Sequence, residues 1–248
     1  MRYCSFNASD YLLLEYLPPD KNLSLLEIGV GLGSVVEKLR GRVKEYCGVD
    51  ISRQLIDYLS SLYHNVEYVS WYCLDVCKES SSLRKNFDIV FSSHTLEHVV
   101  APQGFFNFVV QHTKPDGIIF VIFPNQSKEK HHGITWFDNK KELLEIIEKA
   151  QLKAIKFLEI KETTWHRAVR LFLWSFPKSI ILRREKTPQT FEETDAFKIA
   201  QADNIATKVI GLYAKIITKL AAIFPLYKYS NVGENIRNTD LFICLKRR

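Results

Sequence analysis

The chain has 248 residues, with 34 Lys and Arg against 28 Asp and Glu, and 46% of its residues are hydrophobic. This composition excludes collagen-like proteins, intrinsically disordered proteins and small disulfide scaffolds. The length fits one large α/β domain with an elaboration, and no apolar run reaches the roughly 18 residues that a transmembrane helix requires.

Short β-rich apolar runs alternate with helical periodicity through the first half of the chain. This alternation predicts βαβ units and a parallel sheet that is covered on both faces. The predicted strands are 23–28, 45–49, 66–72, 87–91, 117–123, 154–160 and 241–245, and the predicted helices are 35–39, 53–62, 105–112 and 140–150. We therefore predict a doubly wound, mostly parallel, seven-stranded α/β sheet of the Rossmann-like type.

Residues 163–238 interrupt this pattern between the last two predicted strands. The segment has 12 Lys and Arg against 6 Asp and Glu, whereas the rest of the chain has 22 of each, so the whole positive excess lies here. Its second half has an amphipathic period, with Ile205, Val209, Leu212, Ile216, Leu220 and Ile223 on one apolar face. We predict a core domain at 1–162 and 239–248, and a helical, basic insertion at 163–238.

Three glycines, Gly29, Gly31 and Gly33, directly follow the first predicted strand and precede a helix. Such a loop lets backbone amides approach a ligand and places the positive end of the next helix beside it. The spacing differs from the Gly-x-Gly-x-x-Gly of nicotinamide-binding proteins. Glu27 disfavours a pyrophosphate this close, whereas a ligand with an ammonium and a sulfonium would tolerate it.

Three aspartates accompany the next strands. Asp50 ends the second strand, where a carboxylate can accept both hydroxyls of a ribose. Asp75 follows the third strand and can accept from an exocyclic adenine amine, and Asp88 opens the fourth. Each aspartate alone is typical of a solvated turn, but together they predict a nucleoside-binding edge of the sheet.

At this point the sequence resembles the class I S-adenosylmethionine-dependent methyltransferases, in the group similar to ubiquinone-pathway and other small-molecule enzymes. The resemblance rests on LEIGVGLG (26–33), GVDIS (48–52), LDV (74–76), FDIVFSSHTLEHV (87–99), KPDG (114–117) and FPN (123–125). Asp116 departs from the Gly that the family usually has there. The insertion matches no family element.

The resemblance implies a binding site for S-adenosylmethionine, with S-adenosylhomocysteine as the product. By that resemblance Glu27 and the three glycines hold the methionyl part, and Asp50 holds the ribose. Ile51 packs on the adenine, and Asp75 and Val76 contact its edge. The floor of the site is formed by Ser92, Ser93 and His94.

Candidate catalytic residues are His94, His98, His131 and His132, all of which follow strands at the carboxyl edge of the predicted sheet. A hydroxyl acceptor must lose a proton, and histidine is the usual base near neutral pH. His94 to His98 also fits the His-x-x-Glu-His pattern of one zinc peptidase class. That pattern needs both histidines on one helix, whereas here it starts at a strand end, so we predict no metal.

The cellular compartment can be predicted from the cysteines and from the residues that follow Met1. The five cysteines are an odd number in hydrophobic surroundings, and no apolar signal segment follows Met1. These features predict reduced thiols and a cytoplasmic protein. Cys73 and Cys77 could form half of a zinc site, but no second pair lies at ligand spacing.

Three interpretations of the insertion remain open. It is a helical lid over the carboxyl edge, a surface that touches anionic membrane and admits a lipid-linked acceptor, or a nucleic-acid platform. We predict methyl transfer to a small-molecule, sugar or lipid-linked acceptor. The alternatives are a non-catalytic module that binds S-adenosylmethionine and a nucleic-acid methyltransferase, which the neutral core disfavours.

Overall fold

The structure is a computed structural model that describes residues 9–78, 83, 85–126, 133–175 and 223–248, together with residues 209, 212, 213, 216, 217, 219 and 220. Within these residues, eight strands form one sheet: β1 (Ser24–Ile28), β2 (Glu45–Asp50), β3 (Val69–Cys73), β4 (Phe87–Ser93), β5 (Thr113–Asn125), β6 (Leu152–Glu162), β7 (Tyr227–Asn231) and β8 (Thr239–Arg247). Their order is β3-β2-β1-β4-β5-β8-β6-β7.

The first five strands of the sheet are parallel, and β8 runs antiparallel to both β5 and β6. The predicted doubly wound, mostly parallel α/β fold is confirmed. The predicted count of seven strands was wrong, because β7 lies within the segment predicted as a helical insertion. Four of the five β7 residues are exposed and the fifth is half-buried, so the strand lacks the apolar pattern by which the others were found.

Six α-helices with described bounds accompany the strands: α1 (Ser9–Tyr16), α2 (Ser34–Leu39), α3 (Arg53–Leu62), α4 (Pro102–Gln111), α5 (Lys140–Lys149) and α6 (Thr164–Ala168). The described residues between 209 and 220 are also helical. A short 3-10 helix (Leu96–His98) follows β4, and a π-helical segment (Val169–Ser175) follows α6. Side-chain caps start three of the described helices: Ser52 accepts from Leu55 N before α3, Asn139 from Glu142 N before α5, and Thr163 from His166 N before α6.

The hydrophobic core lies between the sheet and its helices. All five residues of β1 are buried, as expected for a central parallel strand. On α5, which the sequence predicts at 140–150, the side chains of Leu143 and Ile147 are fully buried. None of the helices in the described part of the chain is both long enough and apolar enough to cross a membrane.

The chain divides into two compact units. The larger unit contains Ser9–Ile160 and Tyr229–Arg248, and the smaller contains Met1–Ala8 and Lys161–Lys228. In the smaller unit, Arg170 donates two hydrogen bonds to Glu162, at 2.9 and 2.8 Å. The backbone N–H of Thr163 donates to Leu226 O at 3.0 Å, so the chain enters this unit and leaves it at neighbouring points.

Candidate functional site

The candidate site lies at the carboxyl edge of the sheet, where the strand order reverses. β1 is paired with β2 on one side and with β4 on the other. The glycine loop follows β1, Asp50 ends β2, and His94 follows β4 directly. In doubly wound sheets, ligands bind at such a topological switch point.

The glycine loop has a backbone that disfavours side chains. Gly29, Gly31 and Gly33 have φ of +79°, +50° and +70°, in the left-handed region that suits glycine. A Cβ on Gly29 would lie 1.9 Å from Thr95 Oγ1, in the segment that follows β4. By contrast, no heavy atom of the described residues lies within 4 Å of the position for a Cβ on Gly31. Gly31 therefore borders open space in which a ligand can approach the backbone. We call this space beside Gly31 the cradle.

Glu27 is a buried carboxylate on β1, two residues before the loop. It accepts a hydrogen bond of 2.5 Å from the hydroxyl of Tyr46 on β2. Burial and the neighbouring Glu27 carboxylate raise the pKa of Tyr46 well above its ordinary value. The hydroxyl thus stays protonated and orients the carboxylate. Tyr46 is not among the residues predicted from the sequence, although β-strand alternation places it on the same side of β2 as Gly48, which is paired with Glu27.

Asp50 lies beside the glycine loop. Its Oδ1 accepts from the backbone N–H of Ser52 at 3.0 Å. Burial raises the pKa of the Asp50 carboxyl, and the backbone N–H groups of Ser52, Gly31, Ile51 and Val30 oppose that increase. The neighbouring Ile51 side chain is exposed, which places an apolar surface next to a carboxylate, as binding of a nucleoside requires.

Asp75 and Val76 follow β3. One oxygen of Asp75 accepts from Cys77 N at 3.0 Å, and the other lies 3.0 Å from Lys78 Nζ. The carboxylate thus stabilises its own turn, and its contact with an adenine stays a prediction. The Val76 side chain is buried in the core cluster.

The end of β4 contacts the end of β1. The buried hydroxyl of Ser92 donates to Ile28 O at 3.0 Å, and Thr95 Oγ1 donates to the same carbonyl at 3.1 Å. Ser93, the last residue of β4, is half-buried. His94 has φ of +54° and donates its backbone N–H to Ile122 O at 2.8 Å. These contacts hold the segment after β4 against the glycine loop.

Two of the four candidate histidines meet at one carboxylate. His94 Nδ1 and His98 Nε2 lie 3.7 and 3.8 Å from Glu97 Oε1. His94 precedes the 3-10 helix in a left-handed backbone conformation, so the His-x-x-Glu-His residues do not form the continuous helix of a zinc peptidase. Across the described ranges, no group of three His, Cys, Asp or Glu side chains is arranged to hold a metal ion. His131 and His132 lie outside the described residues.

Asp88 does not belong to this edge. It lies near the amino end of β4, where its carboxylate accepts from Ser24 N and from Lys114 Nζ, each at 2.8 Å. The interpretation that groups Asp88 with Asp50 and Asp75 was therefore wrong for Asp88. A strand's first and last residues lie at opposite edges of a parallel sheet, and Asp88 joins the starts of β1, β4 and β5 instead.

Comparison with known proteins agrees with this geometry. Residues 26–121 match a family described as a methyltransferase domain. The malonyl-[acyl-carrier protein] O-methyltransferase of Marinomonas sp. (strain MWYL1) is 26% identical over 133 residues, which are 52% of this chain and 48% of that protein. The ubiquinone biosynthesis O-methyltransferase of Neisseria meningitidis serogroup A is 25% identical over 126 residues, which are 48% of this chain and 53% of that protein.

The chain thus spans about half the length of the curated relatives that it matches. Among solved structures, the N-methyltransferase NodS from Bradyrhizobium japonicum, in complex with S-adenosylhomocysteine, aligns with a TM-score of 0.52 and 16% identity. The alignment covers 63% of this chain and 80% of NodS. At this identity the likeness shows the fold alone. The resemblance inferred from the sequence is confirmed over residues 26–121, which match the methyltransferase-domain family.

Proposed function

We propose that the protein transfers the methyl group of S-adenosylmethionine to a small-molecule acceptor by in-line displacement, with S-adenosylhomocysteine as the product. One observation carries the proposal. An open glycine cradle at Gly31, the ribose-type carboxylate Asp50 and the histidines His94 and His98 occupy the carboxyl ends of three neighbouring strands. Alignment of donor and acceptor supplies most of the catalysis in such a displacement.

The donor half of the proposed site uses the residues that the sequence analysis named. Glu27 is suited to the donor's ammonium, and Asp50 to the two ribose hydroxyls. Ile51 offers its exposed apolar side chain to the adenine, while Asp75 and Val76 lie along the adenine edge. Ser92, Ser93 and His94 line the floor. When bound, S-adenosylmethionine supplies a methyl group on a sulfonium.

The acceptor half lies on the segments after β4 and β5. Ile134 N and Thr135 N donate to Glu97 O at 2.7 and 3.0 Å, which joins these segments beside the histidines. Large apolar side chains are exposed on both segments, at Val100, Ile134 and Trp136. An apolar rim around half-exposed histidines suits a partly apolar acceptor with one polar reacting group. His131 and His132 remain candidates for a base.

Donor binding is the first test. Asp50→Ala removes hydrogen bonds to a charged acceptor, each worth roughly 1.5–3 kcal/mol, so the affinity for S-adenosylmethionine should fall at least about tenfold. Asp116→Ala, at an exposed aspartate near the start of β5, is the matched control and should bind normally. Isothermal titration calorimetry measures both variants. Unchanged affinity in Asp50→Ala, or tighter binding of a nicotinamide nucleotide, would contradict the proposed site.

Turnover separates an enzyme from a non-catalytic binding module. Labelled S-adenosylmethionine is incubated with a mixed panel of hydroxyl, amine and carboxylate acceptors, and label in the acceptor fraction is counted. Transfer to at least one acceptor is expected. Tight donor binding with no transfer to any acceptor would favour the binding module.

For the insertion, we propose contact with an anionic lipid surface and a lipid-linked acceptor. Where the structure describes the insertion, the predicted apolar face is exposed at Val209, Leu212, Ile216, Leu220 and Ile223. Ile217 does not belong to that face, and its side chain is buried. An exposed apolar face in a segment with twice as many basic as acidic residues is typical of helices that lie in the membrane interface.

Vesicle sedimentation tests this lipid contact. The protein should sediment with anionic vesicles at low salt and be released as salt rises, because charge attraction is screened over about 10 Å at 0.1 M. Leu212→Ser with Ile216→Ser should weaken sedimentation, whereas Ile155→Ser, at an exposed site in β6, is the control. If the protein does not bind vesicles at low salt, the insertion does not contact lipid and the lid interpretation remains.

Replacement of residues 164–225 by a short linker tests the lid. The backbone hydrogen bond between Thr163 and Leu226 shows that a short linker can join these ends. Donor affinity should survive because every proposed donor residue lies between Glu27 and His94, while methyl transfer should be lost. Loss of donor binding would mean that the insertion completes the donor site or the core.

A further inference from the structure

The residue that the proposed mechanism leaves unexplained is Glu97, in the 3-10 helix after β4. Its side chain is only 1% exposed, and neither carboxylate oxygen has a hydrogen-bond partner within the described residues. A buried carboxylate without hydrogen bonds costs free energy unless a nearby positive charge compensates it. The fold nevertheless holds Glu97 firmly, through the two backbone hydrogen bonds from Ile134 and Thr135.

Two imidazoles lie close to this carboxylate. His94 Nδ1 and His98 Nε2 lie 3.7 and 3.8 Å from Glu97 Oε1, and the two side chains are 51% and 48% exposed. Each ring thus has one nitrogen within 4 Å of the buried carboxylate. No other titratable side chain of the described residues forms an ion pair with Glu97, and the covering residues Gly133 to Thr135 carry none.

We propose that Glu97 is a positioning residue that makes His94 or His98 the base for a hydroxyl acceptor. This inference rests on the proposed function. The imidazole takes the proton of the acceptor hydroxyl through its other ring nitrogen. The bond between the acceptor oxygen and the methyl carbon forms as the bond from that carbon to sulfur breaks, and the sulfur keeps the electron pair. The proton leaves the ring for water afterwards.

The Glu97 carboxylate stabilises the protonated, charged form of the histidine ring. A neutral imidazole gains little from an anion at almost 4 Å, whereas an imidazolium is stabilised by it, most strongly where water is excluded. Glu97 therefore makes its histidine a stronger base, in the way that a buried aspartate supports the histidine of a serine protease. The inference also favours hydroxyl acceptors over amines, because a neutral amine attacks without prior loss of a proton.

The test is Glu97→Gln, which keeps the shape of the side chain and removes its charge. We expect kcat for a hydroxyl acceptor to fall roughly 10-fold to 100-fold, a part of the 10²–10⁴ that a general base supplies. KM and donor affinity should stay within about twofold. The acid limb of the pH–rate profile should move to lower pH, since the ring loses stabilisation of its charged form. Glu97→Asp should restore part of both effects.

Two controls separate this inference from its alternatives. Glu145→Gln, at an exposed glutamate on α5, should change neither the rate nor the profile. NMR titration of the His94 and His98 rings, with S-adenosylhomocysteine added, needs no turnover and so remains informative if no acceptor is found. At least one ring should titrate at lower pH in Glu97→Gln than in the wild type. If both rings titrate unchanged, or if the pH–rate profile of Glu97→Gln superimposes on the wild type, the inference is overturned.

Discussion

Gly29 and Gly31 both have left-handed backbones, but their surroundings predict opposite effects of an alanine. At Gly31, a Cβ meets no heavy atom of the described residues within 4 Å. Gly31→Ala should therefore cost only the backbone strain of a left-handed alanine, about 1–2 kcal/mol of unfolding free energy. The added methyl group fills the proposed cradle, so the affinity for S-adenosylmethionine should fall at least about tenfold, or about 1.4 kcal/mol.

At Gly29, the same substitution drives a methyl group to 1.9 Å from Thr95 Oγ1. The contact must be relieved by movement of the segment after β4. Overpacking of this kind costs about 1–3 kcal/mol, in addition to a similar backbone strain, so Gly29→Ala should lose about 2–5 kcal/mol. Gly29→Ala with Thr95→Ala should recover part of that loss, because the nearest atom is removed.

Gly41→Ala is the matched control for the strain term. Gly41 has φ of +69°, follows α2 away from the glycine loop, and has no heavy atom of the described residues within 4 Å of a Cβ. Urea denaturation should show equal losses of stability for Gly31→Ala and Gly41→Ala, whereas calorimetry should show impaired donor binding only in Gly31→Ala. Normal donor affinity in Gly31→Ala would refute the assignment of the cradle.

Three further results are expected. As pH falls through the raised pKa of the Asp50 carboxyl, donor affinity should decrease at a higher pH than for an ordinary carboxylate, and calorimetry across pH should find no such step in Asp50→Asn. Tyr46→Phe removes the hydroxyl that donates to buried Glu27 and should cost about 1–3 kcal/mol in urea unfolding; an unchanged midpoint would contradict this contact. Asn125→Ala deletes two hydrogen bonds donated to Phe137 O and Ile236 O and one accepted from Phe137 N. Its loss should be about 2–4 kcal/mol, and a loss below 1 kcal/mol would contradict that role.

The sequence was sufficient for the features that local pattern controls. Short β-rich apolar runs placed seven of the eight strands, β1 to β6 and β8, within a few residues of their bounds. The glycine loop and Asp50 were found because their spacing follows the strand ends. Helix α1 was missed because its apolar side chains show no clear helical stripe.

The features that were missed depend on contacts between distant residues. The position of Asp88 required its pairing with Ser24 and Lys114, which lie 64 and 26 residues away in the chain. The role of Glu97 depends on its burial under Gly133 to Thr135, which no periodicity reveals. The exposure of the apolar face at Leu212 and Ile216 is likewise a property of packing, because the helical period alone predicts a buried face.

The position of β8 has a consequence for synthesis of the chain. β8 lies between β5 and β6, and its register pairs Phe242 with both Ile122 and Leu158. Until residues 239–247 leave the ribosome, β5 has an uncovered apolar edge and β6 lacks one of its two neighbours. Pairing across such a separation in sequence is slow, and open strand edges invite association with other chains. The nascent protein therefore passes through a stage in which β1 to β5 are complete but the sheet is unfinished.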